Sequence, residues 1–441
     1  MEHRFDHLII GAGMAGAAAA VALRQADAKA SIALLGAEAH PPYDRPPLSK
    51  ALWKDGKEDD IWRPIQDARA TVQLQRRAVA IDRAAHTVRD DAGDSWHYRK
   101  LLLATGGAPR TLPFGPDFIY LRTLDDYHRL RAVVKPGARA VVIGGGFIGS
   151  EIAAALTLNG AKVTMLFPEG AIGARAYPKA LADSVTAYYR DKGVDVRAGV
   201  SVQGAHGNTL ELTDGSTLAA DVVVAGLGIT PNVQLAQDAG LAVDNGIVVD
   251  SHLRTSDADI YAAGDVANFP AAALGRRLRV EHENAALTMG ERAGRGMAGQ
   301  DAPYDELPYF YSDLFDLGYE AVGTLDARLQ TVEQWVTPYR EGVVYYLDGG
   351  RVRGVLLWNT WDQVDAARQL IAEPGPSTPP ACAGACRREV EPSHQGAKRR
   401  GATHERHASS AASQSNDSNG RGAGHASDRR GRTCAGHWRC P

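Results

Sequence analysis

Apolar positions along the chain come in short bursts that end at glycine turns. The burst Leu8-Ile9-Ile10 closes a strand expected over residues 6–10, and the alanine-rich run 15–25 has the length and propensity of a helix. A second strand is expected over 31–35. The same order returns later, with a strand expected over 138–143, a helix over 148–159 and a strand over 162–167. Three more apolar runs, Leu101-Leu102-Leu103, Val222-Val223-Val224 and Ile260-Tyr261-Ala262, read as buried strands running into glycine turns. Strands alternating with helices in this way predict an α/β fold containing two Rossmann-like units.

The glycines between strand and helix carry the first chemistry. Gly11, Gly13 and Gly16, with Met14 and Ala15 between them, follow the first strand, and an acid, Glu38, stands about twenty residues further on. This is the order a dinucleotide site requires: a tight turn at Gly11, backbone approach to a pyrophosphate at Gly13, and helix-on-strand packing at Gly16. The N-terminus of the helix faces the phosphate charge. Gly144, Gly146 and Gly149 repeat the pattern around Phe147 and Ile148, with Glu169 twenty residues beyond. A carboxylate at Glu169 accepts hydrogen bonds from a ribose and repels a 2′-phosphate, so NADH is expected ahead of NADPH. Asp265 ends the run Ile260–Gly264, where an unpaired carboxylate is costly and a flavin ribityl chain is a natural partner, an N-cap role being the alternative.

Composition narrows the field. At 441 residues the chain is long enough for two or three domains, and no apolar run reaches the length of a membrane span. Met1 to Asp6 lead directly into the first strand, which leaves no room for a signal peptide, so the cytoplasm is the expected location. All four cysteines, Cys382, Cys386, Cys434 and Cys440, fall in the last sixty residues, which excludes a redox-active cysteine pair from the body. From Ala372 onward there is no Leu, Ile, Met, Phe or Tyr, and the segment 374–441 is expected to be disordered. It holds eleven Lys and Arg against five Asp and Glu, a net of +6, so the remainder of a chain carrying −3 carries about −9. The abrupt change of composition is that of a reading-frame shift in a GC-rich gene. DNA binding through this tail is a weaker reading, because no aromatic residues interleave the scattered charges. Cys382/Cys386 and His404/His407 imitate a metal spacing without its setting, and no metal is expected.

The motifs GAGMAG, YDRPPLSKALW, LLLATGGAPR, VVIGGGFIGSE, LFPEG, AGLGITPN, IYAAGDVA, LGRRLRVEH and YSDLFDLGYEAVG stand in order between about residues 5 and 373. In them the chain resembles the FAD-dependent pyridine-nucleotide oxidoreductases of the ferredoxin and rubredoxin reductase branch, which includes apoptosis-inducing factor and its bacterial relatives. The resemblance implies an FAD-binding domain of 1–112 and 242–300, an inserted NAD-binding domain of 113–241, and a smaller C-terminal α/β domain of 301–373.

It also implies roles. Lys50 and Glu151 form an ion pair beside the flavin N5; a domain-locking salt bridge is the plainer alternative. Phe147 is the aromatic gate where nicotinamide enters, unless it is ordinary core. Glu281 and His282 face the nicotinamide side, and Tyr311 stands where relatives often carry Trp. The remaining FAD contacts are Gly11, Gly13, Met14, Ala15, Gly16, Glu38, Arg45, Ala104, Thr105, Gly106, Arg110, Gly264 and Asp265. Those of NADH are Gly144, Gly146, Ile148, Gly149, Glu169, Gly226 and Gly228. Relatives often carry Trp or His at the position of Glu283.

Without a body cysteine, electrons leave by a route other than a disulfide. The leading expectation is hydride transfer from NADH to FAD and single-electron delivery to a ferredoxin or rubredoxin. Arg276, Arg277 and Arg279 are candidates to steer an acidic partner, or else belong to a solvated loop. The alternative is an NADH sensor like apoptosis-inducing factor, whose long-lived charge-transfer complex controls oligomerisation or partner binding. The protein is expected to be a monomer or homodimer.

Overall fold

The computed structural model describes residues 1–115 and 117–376. The cysteines and the basic tail therefore lie outside the described residues. The first strand is longer than its apolar burst suggests, running Glu2–Ile10. Its half-exposed start pairs in parallel with Ser95–Tyr98, and the Met1 ammonium reaches Asp94. Polar residues therefore join the strand because a partner is present, which periodicity alone does not report.

Glu2–Ile10 and four strands parallel to it form the body of a seven-stranded first sheet, to which the antiparallel hairpin of Ala78–Asp82 and Thr87–Asp90 adds an edge. Ile32–Leu35 lies on one side and Ser95–Leu103 on the other, with Thr71–Gln73 beyond the former and Ile260–Ala262 beyond the latter. Leu8, Ile9, Leu34, Leu101, Leu102, Leu103 and Ala262 are fully or almost fully buried, as in a sheet covered on both faces. The carboxyl ends of three of these strands meet at one edge: Ala104 N–H donates to Ile10 O at 2.8 Å and Ala263 N–H to Leu103 O at 3.1 Å. In open α/β sheets that edge holds the ligand.

Helix Met14–Ala26 packs against helix Glu283–Met297. Their approach depends on two small residues. A Cβ at Gly290 would lie 2.3 Å from Ala15 O, and one at Gly294 2.4 Å from Ala19 O.

The second sheet has the parallel order Asp195–Ala198, Lys162–Phe167, Arg139–Ile143, Val222–Ala225. Helix Phe147–Leu158 covers it, and Ile152, Ala153 and Leu156 are fully buried. A short antiparallel ribbon, Gly107–Pro109 with Ile229–Pro231, lies where the chain leaves the first sheet and where it comes back from the second.

The third sheet is antiparallel and five-stranded: Tyr309–Leu314, Leu317–Gly323, Arg351–Trp358, Glu341–Asp348, Gln330–Thr337. Helix Val364–Ala372 packs on it through Ala367, Leu370 and Ile371.

The loop after Phe167 ties the second sheet to the third. Gly173 N–H donates to Gly145 O at 2.8 Å, within the second glycine turn. Ala327 N–H donates to Arg175 O at 2.9 Å, and the Tyr346 hydroxyl to Ala176 O at 2.8 Å. The buried Tyr177 ring meets Tyr319 and Trp358 edge-on at 5.8 and 5.5 Å. Among the described residues no helix is long and apolar enough to cross a membrane.

Candidate active site

The two glycine turns have the same construction. Gly11 and Gly144 have φ of +117° and +118°, where an L side chain is strained, and a Cβ would collide with Ala104 O at 2.1 Å and Gly226 O at 2.4 Å. Gly16 and Gly149 each press on the first glycine, with a Cβ position 2.0 Å from its carbonyl oxygen. The middle glycines differ. Neither Gly13 nor Gly146 has a positive φ, and a Cβ on either meets nothing within 4 Å. Nothing in the protein requires glycine there, so the space it leaves suits a group from outside. Both are N-caps without a side-chain cap bond, so the N–H groups of the first helical turn point at an open cradle. The residues present fit two dinucleotides.

Around the first cradle runs a chain of ion pairs. Glu38 accepts from Arg45 at 2.5 Å and from the Tyr43 hydroxyl at 2.7 Å. Arg45 also donates to Arg122 O at 2.6 Å, and the Arg122 guanidinium reaches Asp265 at 2.7 Å. Arg45 N–H sits 3.5 Å from Met14 Sδ, so Met14 and Arg45 are neighbours. Asp265 is therefore paired within the protein, and it caps no helix; it lies inside the short turn Gly264–Val266 with Arg122 as its partner. Arg122 escaped the sequence reading because its partner lies 143 residues away.

The turn Ala104-Thr105-Gly106 is bound to the returning segment. Thr105 Oγ1 donates to Asn232 O at 2.9 Å, and Asn232 Nδ2 returns to Thr105 O at 2.8 Å. Arg110 is exposed, and its N–H donates to Gly228 O at 2.9 Å. Gly264 has φ +77° and faces Ala15 and Ala286.

Lys50 and Glu151 meet as the motifs imply. Nζ is 2.7 Å from Oε2, with side-chain exposures of 11% and 2%. Ser49 Oγ donates to the same oxygen at 2.6 Å, and Ser312 Oγ to Oε1 at 2.6 Å. The Tyr311 ring lies 5.1 Å from Lys50 Nζ, and its hydroxyl interacts with Glu283. Burial pushes the Tyr311 phenol far above its ordinary value.

Phe147 is 37% exposed and Ile148 44%, so Phe147 is not ordinary core. Its ring tilts against Phe310 at 5.0 Å, and Phe310 lies 4.5 Å from the His282 ring. Phe310 is a second missed residue, one step from Tyr311 and bridging Phe147 to His282. Burial holds the His282 imidazole down at about 4, and its buried Nδ1 has no hydrogen-bond partner among the described residues. A ring nitrogen left so suits a bound ligand.

Glu281 is exposed and accepts from Arg279 at 2.9 Å. The arginines before it are hydrogen-bonded within the protein. Arg277 donates to Asn268 and to Val249 O, and Arg279 to Asp265 O as well as Glu281. Arg276 and Arg277 are both exposed, and Arg276 is bonded to Thr324 at 2.6 Å. Glu169 accepts from Arg175 at 2.5 Å, while Arg175 itself is 86% exposed. No metal-holding group of His, Cys, Asp and Glu occurs among the described residues.

Residues 5–290 match the family described as pyridine nucleotide-disulphide oxidoreductase, and residues 293–338 match the C-terminal region of mitochondrion-associated apoptosis-inducing factor. The chain is 39% identical over 381 residues to the ferredoxin–NAD(+) reductase component of the anthranilate 1,2-dioxygenase system of Burkholderia cepacia, covering 83% of this chain and 93% of that one. It is 34% identical to the mitochondrial apoptosis-inducing factor 1 of Dictyostelium discoideum, over 83% of this chain and 78% of that one. Among solved structures it is similar to the reductase in the covalent putidaredoxin reductase–putidaredoxin complex. The TM-score there is 0.80 at 32% identity, over 85% of this chain and 95% of the other.

Proposed function

We propose that this chain, which belongs to the pyridine nucleotide-disulphide oxidoreductase family, oxidises NADH through a bound FAD and passes the electrons singly to a ferredoxin- or rubredoxin-type iron–sulfur protein. The observation that carries it is the buried Lys50–Glu151 pair between two glycine cradles of identical construction. When bound, FAD supplies a ring that accepts hydride and releases electrons one at a time.

The protein's part is placement and charge. Gly11, Gly13 and Gly16 would hold the FAD pyrophosphate on the first helix, and the linked Arg45, Arg122 and Asp265 would bound its ribityl and phosphate groups. Gly144, Gly146 and Gly149 hold NADH, with Phe147, Phe310 and His282 bounding the nicotinamide. Lys50 would present its ammonium to the flavin, and Glu151 holds that ammonium in place. Away from water such a charge acts more strongly than at a surface. Glu169 selects NADH, although Arg175 beside it tempers the choice. No cysteine precedes Cys382, so the disulfide chemistry in the family's description is not available to the described residues.

The acceptor class follows from the relatives' named partners and from the absence of a body thiol. We place the protein in the cytoplasm and divide it as 1–112 with 242–300, 113–241 and 301–373, a division supported by the ribbon at 107–109 and 229–231. Rapid mixing with NADH tests the function. Fast bleaching of the flavin followed by turnover with a small ferredoxin is expected, and a protein that binds no FAD overturns it. The match of residues 293–338 to apoptosis-inducing factor favours a second reading, an NADH sensor. A long-lived long-wavelength band without acceptor turnover would select that one.

A further inference from the structure

We propose that Ser312, together with Ser49, is a positioning residue that fixes the Glu151 carboxylate, so that the C-terminal sheet sets part of the charge environment of the flavin; this rests on the function proposed above. Glu151 belongs to helix Phe147–Leu158, Ser49 to the segment after Pro46–Leu48, and Ser312 to strand Tyr309–Leu314. Three segments separated by more than a hundred residues thus meet at one carboxylate.

The three side chains are all buried, at 5% exposure for Ser49, 3% for Glu151 and 1% for Ser312. A buried hydroxyl costs free energy unless it is bonded. Ser312 pairs with Tyr319 through the strand ladder, and its hydroxyl also interacts with the Tyr319 phenol. The ladder itself needs only the backbone, and the Ser312 hydroxyl donates its short bond to Glu151 Oε1 at 2.6 Å. Ser49 Oγ makes its short bond to Oε2 at 2.6 Å and only a long contact of 3.4 Å to Pro46 O.

With a donor on each oxygen the carboxylate has one orientation, and Lys50 Nζ at 2.7 Å inherits it. The neighbouring Tyr311 ring covers the ammonium at 5.1 Å. One strand therefore touches both halves of the pair, the acid through residue 312 and the base through residue 311.

The test compares S312A, S49A and E151Q with the double variant S312A/E151Q, each loaded with FAD. Two quantities are read: the limiting rate of flavin reduction by NADH and the midpoint potential of the bound flavin by dye equilibration. S312A is expected to lower the limiting rate about tenfold, the scale of one hydrogen bond to a charged group, while the NADH Kd changes less than about twofold. Its potential should move in the same direction as that of E151Q, and S312A should add nothing in the E151Q background. Ser312→Thr, which keeps the hydroxyl, should restore both quantities, and S49A gives the same readout from the opposite wall should S312A fold poorly. Wild-type rate and potential in S312A and S49A, or a loss that adds in full to that of E151Q, overturns the proposal. A wild-type protein that binds FAD but is not bleached by NADH would instead overturn the function, since the potentials need no NADH.

Discussion

The guanidinium of Arg122 stands 2.7 Å from the carboxylate of Asp265, and the backbone oxygen of the same arginine accepts from Arg45. Arg122 thus joins the acid of the Gly264–Val266 turn to the Glu38–Arg45 pair at the other side of the first cradle. Arg122→Ala should leave Asp265 without its cation and loosen that side of the cradle. We expect a rise of about tenfold or more in the FAD dissociation constant, measured by fluorescence titration of apoprotein, with helix content unchanged.

The glycines divide into two classes with opposite outcomes. Gly13→Ala and Gly146→Ala meet no protein atom, so both variants should fold with near-normal thermal midpoints. Gly13→Ala should emerge depleted of FAD, whereas Gly146→Ala should retain FAD and bind NADH about tenfold or more weakly. Gly16→Ala and Gly149→Ala drive a Cβ onto a backbone carbonyl and should be recovered poorly folded. Absorbance ratios of purified proteins separate the classes.

Lys50→Met leaves the buried Glu151 carboxyl with its two serine donors and no cation. Removing one partner of a buried pair costs about 3–5 kcal/mol. The serines reduce that figure here, and a loss of about 2 kcal/mol in urea unfolding is expected together with slower flavin reduction. Unchanged reduction in a folded variant would reassign the pair to a purely structural role.

Burial and the neighbouring Arg99 hold the His7 imidazole down at about 4 from an ordinary 6.5. The folded chain keeps this group neutral, while the unfolded chain takes up a proton below about pH 6.5. Its contribution to stability is complete above pH 6.5 and is lost as pH falls towards 4, amounting to about 2 kcal/mol by pH 5. Urea unfolding at pH 7 and pH 5 should show this loss, and His7→Gln should flatten the difference.

Glu169 shares a 2.5 Å ion pair with the otherwise exposed Arg175. Glu169→Ala should remove the repulsion of a 2′-phosphate and release Arg175 to meet it. The ratio of kcat/KM for NADH over NADPH is expected to fall about tenfold or more, chiefly through KM for NADPH.

The cradles were legible in the sequence because their rules are local: a strand, a turn with φ near +117° at Gly11, and a glycine packed one helical turn later at Gly16. Lys50 and Glu151 were legible through family resemblance, since nothing within either motif says that residues 101 positions apart touch. Ser312, Phe310 and Arg122 were missed for the same reason, as each acts on a group more than a hundred residues away. Arg277 and Arg279 were read only as charge. Their letters announce charge, but not that the guanidiniums bond Asn268, Val249 O and Asp265 O. Gly290 and Gly294 show their purpose only once a second helix lies against them.

The loop from Gly173 to Tyr177 bonds to Gly145 at one end and buries its tyrosine against Tyr319 and Trp358 at the other. Gene shuffling among such reductases therefore cannot treat the antiparallel sheet as an interchangeable cassette. A chimera that takes its final third from a homologue needs the matching 170–177 stretch from that same parent, or the hybrid will carry an aromatic plug cut for a different socket.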